Sequence, residues 1–264
     1  MQISVIIPTY KPQEYLFECL ESLQRQTLQT DTWEILLILN GCKEPWLILI
    51  KRYLENMNFP NIRLLHTDIP GVSNARNIGI EAAIGEFIAF IDDDDYVSPS
   101  YLEELLKLAS ADTIALSYTE AFQEKKHHIP YYIEQEYKRR APSKKQPFFY
   151  AKRYFGGPCM KLIHRDIIGK QRFDIHFSNG EDSLFMFAIS NKVKYVDFTS
   201  ENAVYHRRLR QGSASVSEKY NNVLRNRLRL MKAYNLIFWA HPKEYNFYFF
   251  CTRLLASIHR LLTF

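Results

Sequence analysis

The chain is poor in several features that would each announce a class. It has only 4 cysteines in 264 residues. Cys19, Cys42, Cys159 and Cys251 stand far apart, with no C-x-x-C pair and no histidine at metal-finger spacing. That excludes a zinc ribbon and a disulfide-stapled scaffold and leaves the cysteines as small core hydrophobes. No apolar run approaches the roughly 20 residues needed to span a bilayer. The opening MQISVIIPTY lacks the basic region and cleavage site of a signal peptide, so a cytoplasmic location is expected. Acids are scarce in one region: residues 219–264 hold eight Lys/Arg and the single acid Glu244, a balance of +7, while the rest of the chain sums to −2. A basic tail on a slightly acidic body points to an anionic partner.

The composition that remains, 47% hydrophobic and 24% charged, suffices for one sizeable core. ISVII (3–7), EILLIL (34–39), IRLLH (62–66) and EFIAFI (86–91) read as strands with helical patterns between them. In PQEYLFECLESLQRQ, for example, Leu16, Cys19, Leu20 and Leu23 recur at helical spacing, with acids early and Arg25 late. Near-continuous apolar strands separated by helices predict an α/β fold, a mostly parallel Rossmann-like sheet flanked by helices. Ligands of such sheets bind beyond the carboxyl ends of the strands.

Asp92 to Asp95 fall at that place, just past the fourth strand. An acidic helix start, with Ser98 as N-cap and Pro99 in the first turn, explains some of this charge but not four carboxylates outside the helix. An EF-hand loop would need Gly at its sixth position and Glu at its twelfth, and has neither. A phosphatase-type aspartate nucleophile belongs after the first strand, which ends here in PTYKP. Carboxylates spaced D-x-D suit a divalent cation, Mn2+ or Mg2+, which offsets their repulsion and bridges diphosphate oxygens.

Together, SVIIPTYKPQEYLFECLESLQRQT, EILLILNG, GVSNARNIGIEAAIGEFIAFIDDDD and GEDSLFMFAI resemble the family-two glycosyltransferases, inverting nucleotide-sugar-dependent enzymes of the GT-A fold. The likeness covers residues 1–110 most fully and 156–215 in part. It implies that Pro8, Thr9, Tyr10 and Asn40 surround the nucleotide base, that Asp92 and Asp93 face the donor, and that Asp94, rivalled by Asp95, holds the metal. It also implies Asp182 as the catalytic base. The family often has Asn where Lys11 stands and D-D-G-S where this chain has Asn40 and Gly41; UDP remains the expected carrier.

Other stretches leave alternatives open. In GVSNARNIGIEAAIG, Arg76 either faces the donor or belongs to an amphipathic helix capped by Ser73, with Ile78, Ala82 and Ala83 inward. Glu181 and Asp182, after the Asn179-Gly180 turn, also suit a helix cap. His206, Arg207, Arg208 and Arg210 are expected in a loop after a strand, the arginines facing a departing diphosphate and His206 a further metal ligand. Residues 119–155, rich in Lys, Arg and aromatics, read as an acceptor-side lid disordered in part; they carry no nucleic-acid motif. KLIHRD imitates a kinase catalytic loop without its Asn, Gly-rich loop or D-F-G. The tail reads as two helices, with Leu224, Leu228, Met231 and Phe238, then Phe247, Phe250, Leu254, Ile258 and Leu261, as apolar stripes. Apolar, basic and aromatic residues together suit a helix on an anionic membrane; closing the acceptor side or a dimer is the structural alternative.

These readings give a nucleotide-sugar half (1–115), an acceptor and base half of the same domain (116–217) and a basic C-terminal helical extension (218–264). The expected partners are a nucleotide-sugar, a glycan or lipid-linked glycan acceptor and an anionic membrane surface, with no nucleic acid. A sugar-nucleotide pyrophosphorylase is the enzymatic rival, but its Gly-rich loop is missing from PTYKPQEY. A non-catalytic membrane adaptor is the other.

Overall fold

The computed structural model describes residues 1–57, 61–123, 127–177, 179–210 and 220–262. The first strands are apolar on both faces because both are covered. β1 (Ile3–Thr9) and β2 (Trp33–Asn40) are buried end to end and run parallel. β3 (Ile62–Thr67) adds beyond β2, and β4 (Phe87–Phe90) beyond β1. Between them lie α1 (Glu14–Gln24), α2 (Trp46–Met57) and α3 (Val72–Ala82). α1 buries the expected Leu16, Cys19, Leu20 and Leu23. Gly79 lets α3 lie close on the sheet, since a Cβ there would stand 2.4 Å from Ile6 Cγ2.

The chain continues through β5 (Tyr96–Val97), α4 (Tyr101–Leu108), β6 (Thr113–Leu116), β7 (Tyr118–Gln123), β8 (His127–Ile129), α5 (Tyr132–Arg140) and β9 (Gln146–Pro147). After it come β10 (Lys161–His164), α6 (Arg165–Ile168), α7 (Glu181–Ala188), β11 (Tyr195–Phe198) and β12 (Val204–Arg208). The main sheet has the order β3-β2-β1-β4-β10-β6-β11-β9, with β10 antiparallel to both neighbours. A second sheet, β5-β12-β7-β8, lies beside it. KLIHRD is thus a central strand running into a short helix, not a catalytic loop.

Several local expectations shift. The cap position of α4 is Ser100. Ser98 instead donates to Asn202 O at 2.7 Å and accepts from Val204 N at 2.8 Å, tying this turn to β12. α3 starts behind Gly71, so Ser73 lies inside its first turn; Ala75, Arg76, Gly79 and Ile80 are buried with it, Ala83 at the helix end is buried as expected, and Ile78 and Ala82 are half-buried against the core. The stretch expected as a partly disordered lid is packed structure among the described residues, with Ile133, Tyr137, Phe148 and Tyr154 buried; 124–126 lie outside them. Its basic residues surround buried acids. Lys138 Nζ lies 2.6 Å from Glu134, and Arg139, Arg140 and Arg153 surround Glu136, which is 0% exposed.

α8 (Tyr220–Ala240) and α9 (Phe247–Leu262) pack on each other and on α7. Their inward residues are Leu230, Tyr234, Phe238, Tyr245, Phe249 and Phe250, with Phe238 and Phe250 stacked at 4.2 Å. Of the expected stripes, Phe238 and Phe250 are buried, Met231 and Leu254 are half-buried, and Leu224, Leu228, Phe247 and Ile258 are exposed; the side chain of Leu261 lies outside the described residues. Both helices are apolar on two sides, and polar Asn226 and Arg227 take inward positions beside α7, so hydrophobicity alone cannot choose the face. No helix among the described residues is long and apolar enough to cross a membrane.

Candidate active site

A cavity of about 850 Å3 opens at the carboxyl ends of β1, β2 and β4. Pro8 and Tyr10 enter it from the end of β1, Asn40 from β2 and Arg76 from α3; Asp92 to Asp95 and Arg210 form another side. Thr9 is the exception. Buried beneath, it donates through Oγ1 to Asp93 Oδ2 at 2.5 Å and so fixes an acid rather than facing a ligand. Asn40 uses its amide on the backbone: Nδ2 donates to Thr9 O at 2.7 Å, and Oδ1 accepts from Gly71 N at 2.9 Å. It shapes the wall by joining β1 to the loop before α3.

The four aspartates separate by environment. Asp92 keeps a side chain 41% exposed and accepts from Arg76 Nη2 at 2.8 Å. Asp93 is pushed up to about 7 by burial, against the Thr9 hydrogen bond. Asp94 is raised by burial and by Asp92, while Arg210, 2.6 Å away, opposes this. Asp95, 3% exposed, accepts from Tyr205 Oη at 2.6 Å and from Arg208 N at 2.7 Å; burial holds its carboxyl well above the ordinary range. Asp95 thereby fastens β12 to the loop after β4, while still lining the cavity.

His206 is not brought to these carboxylates. The segment expected as a loop is β12 itself, and strand alternation turns His206 away from Tyr205 and Arg207. It stacks on Tyr96 at 4.4 Å and lies 3.6 Å from Glu120. Among the described residues no group of three His, Cys, Asp or Glu side chains is placed to hold a metal. Asp92 and Asp94 do share the cavity. Two carboxylates completed by phosphate oxygens and water are a set that Mg2+ or Mn2+ accepts.

A second cavity, about 430 Å3, lies next to the first and shares Asp92 and Arg207 with it. Glu181 and Asp182 line it from the start of α7. The cap position of α7 is Gly180, with φ 93° and no side-chain cap, so Asp182 does not cap the helix. Its Oδ1 instead accepts from Arg76 Nη1 at 2.5 Å. Arg76, 3% exposed, thus joins Asp182 to Asp92. Burial alone would lower the guanidinium, but Asp182 and Asp92 hold it above its ordinary value. Asp182 is raised by burial, with Arg76 opposing. Glu181 is pushed up to about 7 by burial and by Asp182.

The Glycosyl transferase family 2 model matches residues 4–171, more than half of the sequence. The chain belongs to glycosyl transferase family 2. EpsH of Bacillus subtilis, named as a glycosyltransferase, is 28% identical over 228 residues, covering 84% of this chain and 64% of EpsH. The minor teichoic acid biosynthesis protein GgaB of Bacillus subtilis is 29% identical over 223 residues, 81% of this chain and 24% of GgaB. The fold is that of the crystal structure of Staphylococcus aureus TarS residues 1–349 in complex with UDP-GlcNAc, with TM-score 0.70, 21% identity and coverage of 89% of this chain and 66% of that one. The chain spans under two thirds of EpsH and about a quarter of GgaB.

Some residues of this candidate site carried no usable sequence signal. Tyr205, 0% exposed, reads as an ordinary strand aromatic until Asp95 is seen beneath it. Lys161 lies 1% exposed behind Asp182, donating to Gly157 O and Cys159 O at 2.6 Å, and burial pulls its ammonium down to about 7. Arg227 and Arg253 reach the second cavity from α8 and α9. Their sequence cue was a basic helical tail, which is more often a solvated face.

Proposed function

We propose that the chain transfers a sugar, with inversion, from a UDP-sugar to a hydroxyl of a glycan acceptor. The observation that carries this is the Arg76 bridge, which sets Asp182 beside Asp92 where the two cavities meet. The donor occupies the larger cavity, its base near Pro8 and Tyr10 and its ribose at Asp92. The complexes of TarS with UDP-GlcNAc and with UDP support a UDP carrier. Asp92 and Asp94 would hold Mn2+ or Mg2+, which when bound offsets charge on the diphosphate. Arg210, now on Asp94, is near enough to take up charge on the departing group.

Asp182 accepts the proton of the acceptor hydroxyl. The hydroxyl oxygen then bonds to the anomeric carbon as the bond from that carbon to the diphosphate oxygen breaks, and the electron pair leaves with UDP. Arg76 orients the carboxylate and favours its ionised form, opposing the effect of burial. The likeness to the minor teichoic acid biosynthesis protein GgaB supports a surface-polymer acceptor; the proposal adds that this acceptor is lipid-linked and met at the inner membrane face by a cytoplasmic enzyme. Screening UDP-sugars with glycan acceptors for release of UDP tests the reading. It predicts release with at least one pair and its loss on chelation; no release with any nucleotide-sugar, together with no cation-dependent UDP binding, would refute it.

A further inference from the structure

A third cavity, about 320 Å3, adjoins the place where the other two meet. It shares Asp92 and Arg207 with both, and Tyr132, Gly156 and Asp182 with the smaller. Gly156 and Gly157 stand together on its wall, and the fold does not account for either being glycine. Gly157 has φ −155°, extended backbone that any residue adopts, and Gly156 also lies outside the left-handed region. Among the described residues, a Cβ on Gly157 would meet only Asp182 Oδ2, at 3.8 Å, and one on Gly156 only the Tyr132 hydroxyl, at 3.7 Å. Both are ordinary contacts. Alanine would therefore fit at either position and would leave the unfolded chain less entropy to lose.

The missing side chains open the wall toward two groups, the Asp182 carboxylate and an aromatic ring. Tyr132, at the start of α5, is 47% exposed although it lines two cavities. Tyr131 packs edge-on against it at 4.8 Å, and Lys161 holds the Gly157 carbonyl at 2.6 Å, so ring and wall are set in place by the protein itself. An uncovered aromatic face beside bare backbone suits the C–H face of a pyranose, whose hydroxyls leave from the ring edge toward polar groups. An open-chain alditol has no such face. We propose that the third cavity seats the terminal pyranose of the acceptor, its ring against Tyr132 and its reacting hydroxyl passing over Gly157 to Asp182. The subsite deepens the proposed transfer reaction and rests on Asp182 marking the acceptor side.

The test uses the full chain with UDP and Mg2+ present and reads binding by saturation-transfer NMR. The probes are the methyl β-pyranosides of glucose, galactose and N-acetylglucosamine, with ribitol phosphate as the open-chain control. At least one pyranoside should bind, with saturation strongest on its ring C–H protons, and ribitol phosphate should bind at least about tenfold more weakly. Tyr132→Ala, Gly156→Ala and Gly157→Ala should each weaken the pyranoside by roughly tenfold, whereas Tyr132→Phe should keep most of the affinity. The two glycine variants should melt at or above the parent temperature and bind UDP as it does, because neither glycine lines the larger cavity. Unchanged pyranoside binding in the alanine variants, tighter binding of ribitol phosphate, or no pyranoside bound at all would overturn the subsite. So would a melting temperature lowered by both glycine substitutions, since the fold would then need the glycines. Weaker binding of UDP-N-acetylglucosamine by these variants, with UDP unaffected, would place the donor's sugar in the cavity and overturn the acceptor assignment. Probe binding is read without turnover, so an active Asp182→Asn variant would refute the base assignment and leave the subsite to be judged by the binding data.

Discussion

Lys11 is the clearest single-residue departure. Its φ is 48°, in the left-handed region that a lysine adopts at a cost of roughly 1 kcal/mol and that Asn tolerates better. The resembling sequences often have Asn there, and the backbone supplies a reason. Lys11→Asn should therefore raise the melting temperature by about 1–3 °C, offset a little by losing the ammonium 5.3 Å over the Tyr10 ring. An unchanged or lower value would mean that the turn is not strained. Glu181 makes the second residue-scale prediction. Its carboxyl is raised from 4.5 to about 7, so folding favours the protonated form. That contribution is complete below about pH 4.5 and is lost as pH climbs through 7. Glu181→Gln, always neutral, should be close to silent at pH 5 and stabilising at pH 8, each kcal/mol moving the melting temperature by about 2–4 °C. A melting-temperature difference that stays flat between the two pH values would contradict it.

Among elements, those with a strict period were legible and those with polar inward positions were not. β1 to β4 were readable because both faces are buried, and α1 because its acids and apolar residues keep to separate sides. β12 was missed as a strand because His206 to Arg208 are polar and it pairs in a sheet whose inner acid, Asp95, needs polar neighbours. α8 was found as a helix with its face misassigned. The outward surface carries Arg225, Leu228, Arg229, Lys232, Leu236 and Trp239, the last 64% exposed. An anionic membrane remains the proposed partner of this mixed basic and apolar surface. Replacing Arg225, Arg229 and Lys232 by Gln should weaken sedimentation with vesicles rich in phosphatidylserine or phosphatidylglycerol. At about 1 kcal/mol per charge the loss is on the order of 10²-fold at low salt, and smaller at high salt. Binding that ignores vesicle charge would show that the surface serves something else.

At the scale of the molecule, two cavities meet at Asp92, one built by the first sheet and the other by α7, α8 and α9. The first was largely readable from sequence because strand ends and consecutive aspartates are local signals. The second depends on Arg76 meeting a residue 106 positions away, which no local pattern records. The central claim is that Asp182 serves the acceptor and not the donor. It is tested by measuring sugar transfer, UDP affinity and melting temperature together in Asp182→Asn. Transfer should fall by roughly 10²- to 10⁴-fold, the contribution of a positioned general base, while cation-dependent UDP affinity stays within about twofold and the fold is retained. Near-normal transfer in a folded variant, or loss of UDP binding in step with activity, would contradict the account.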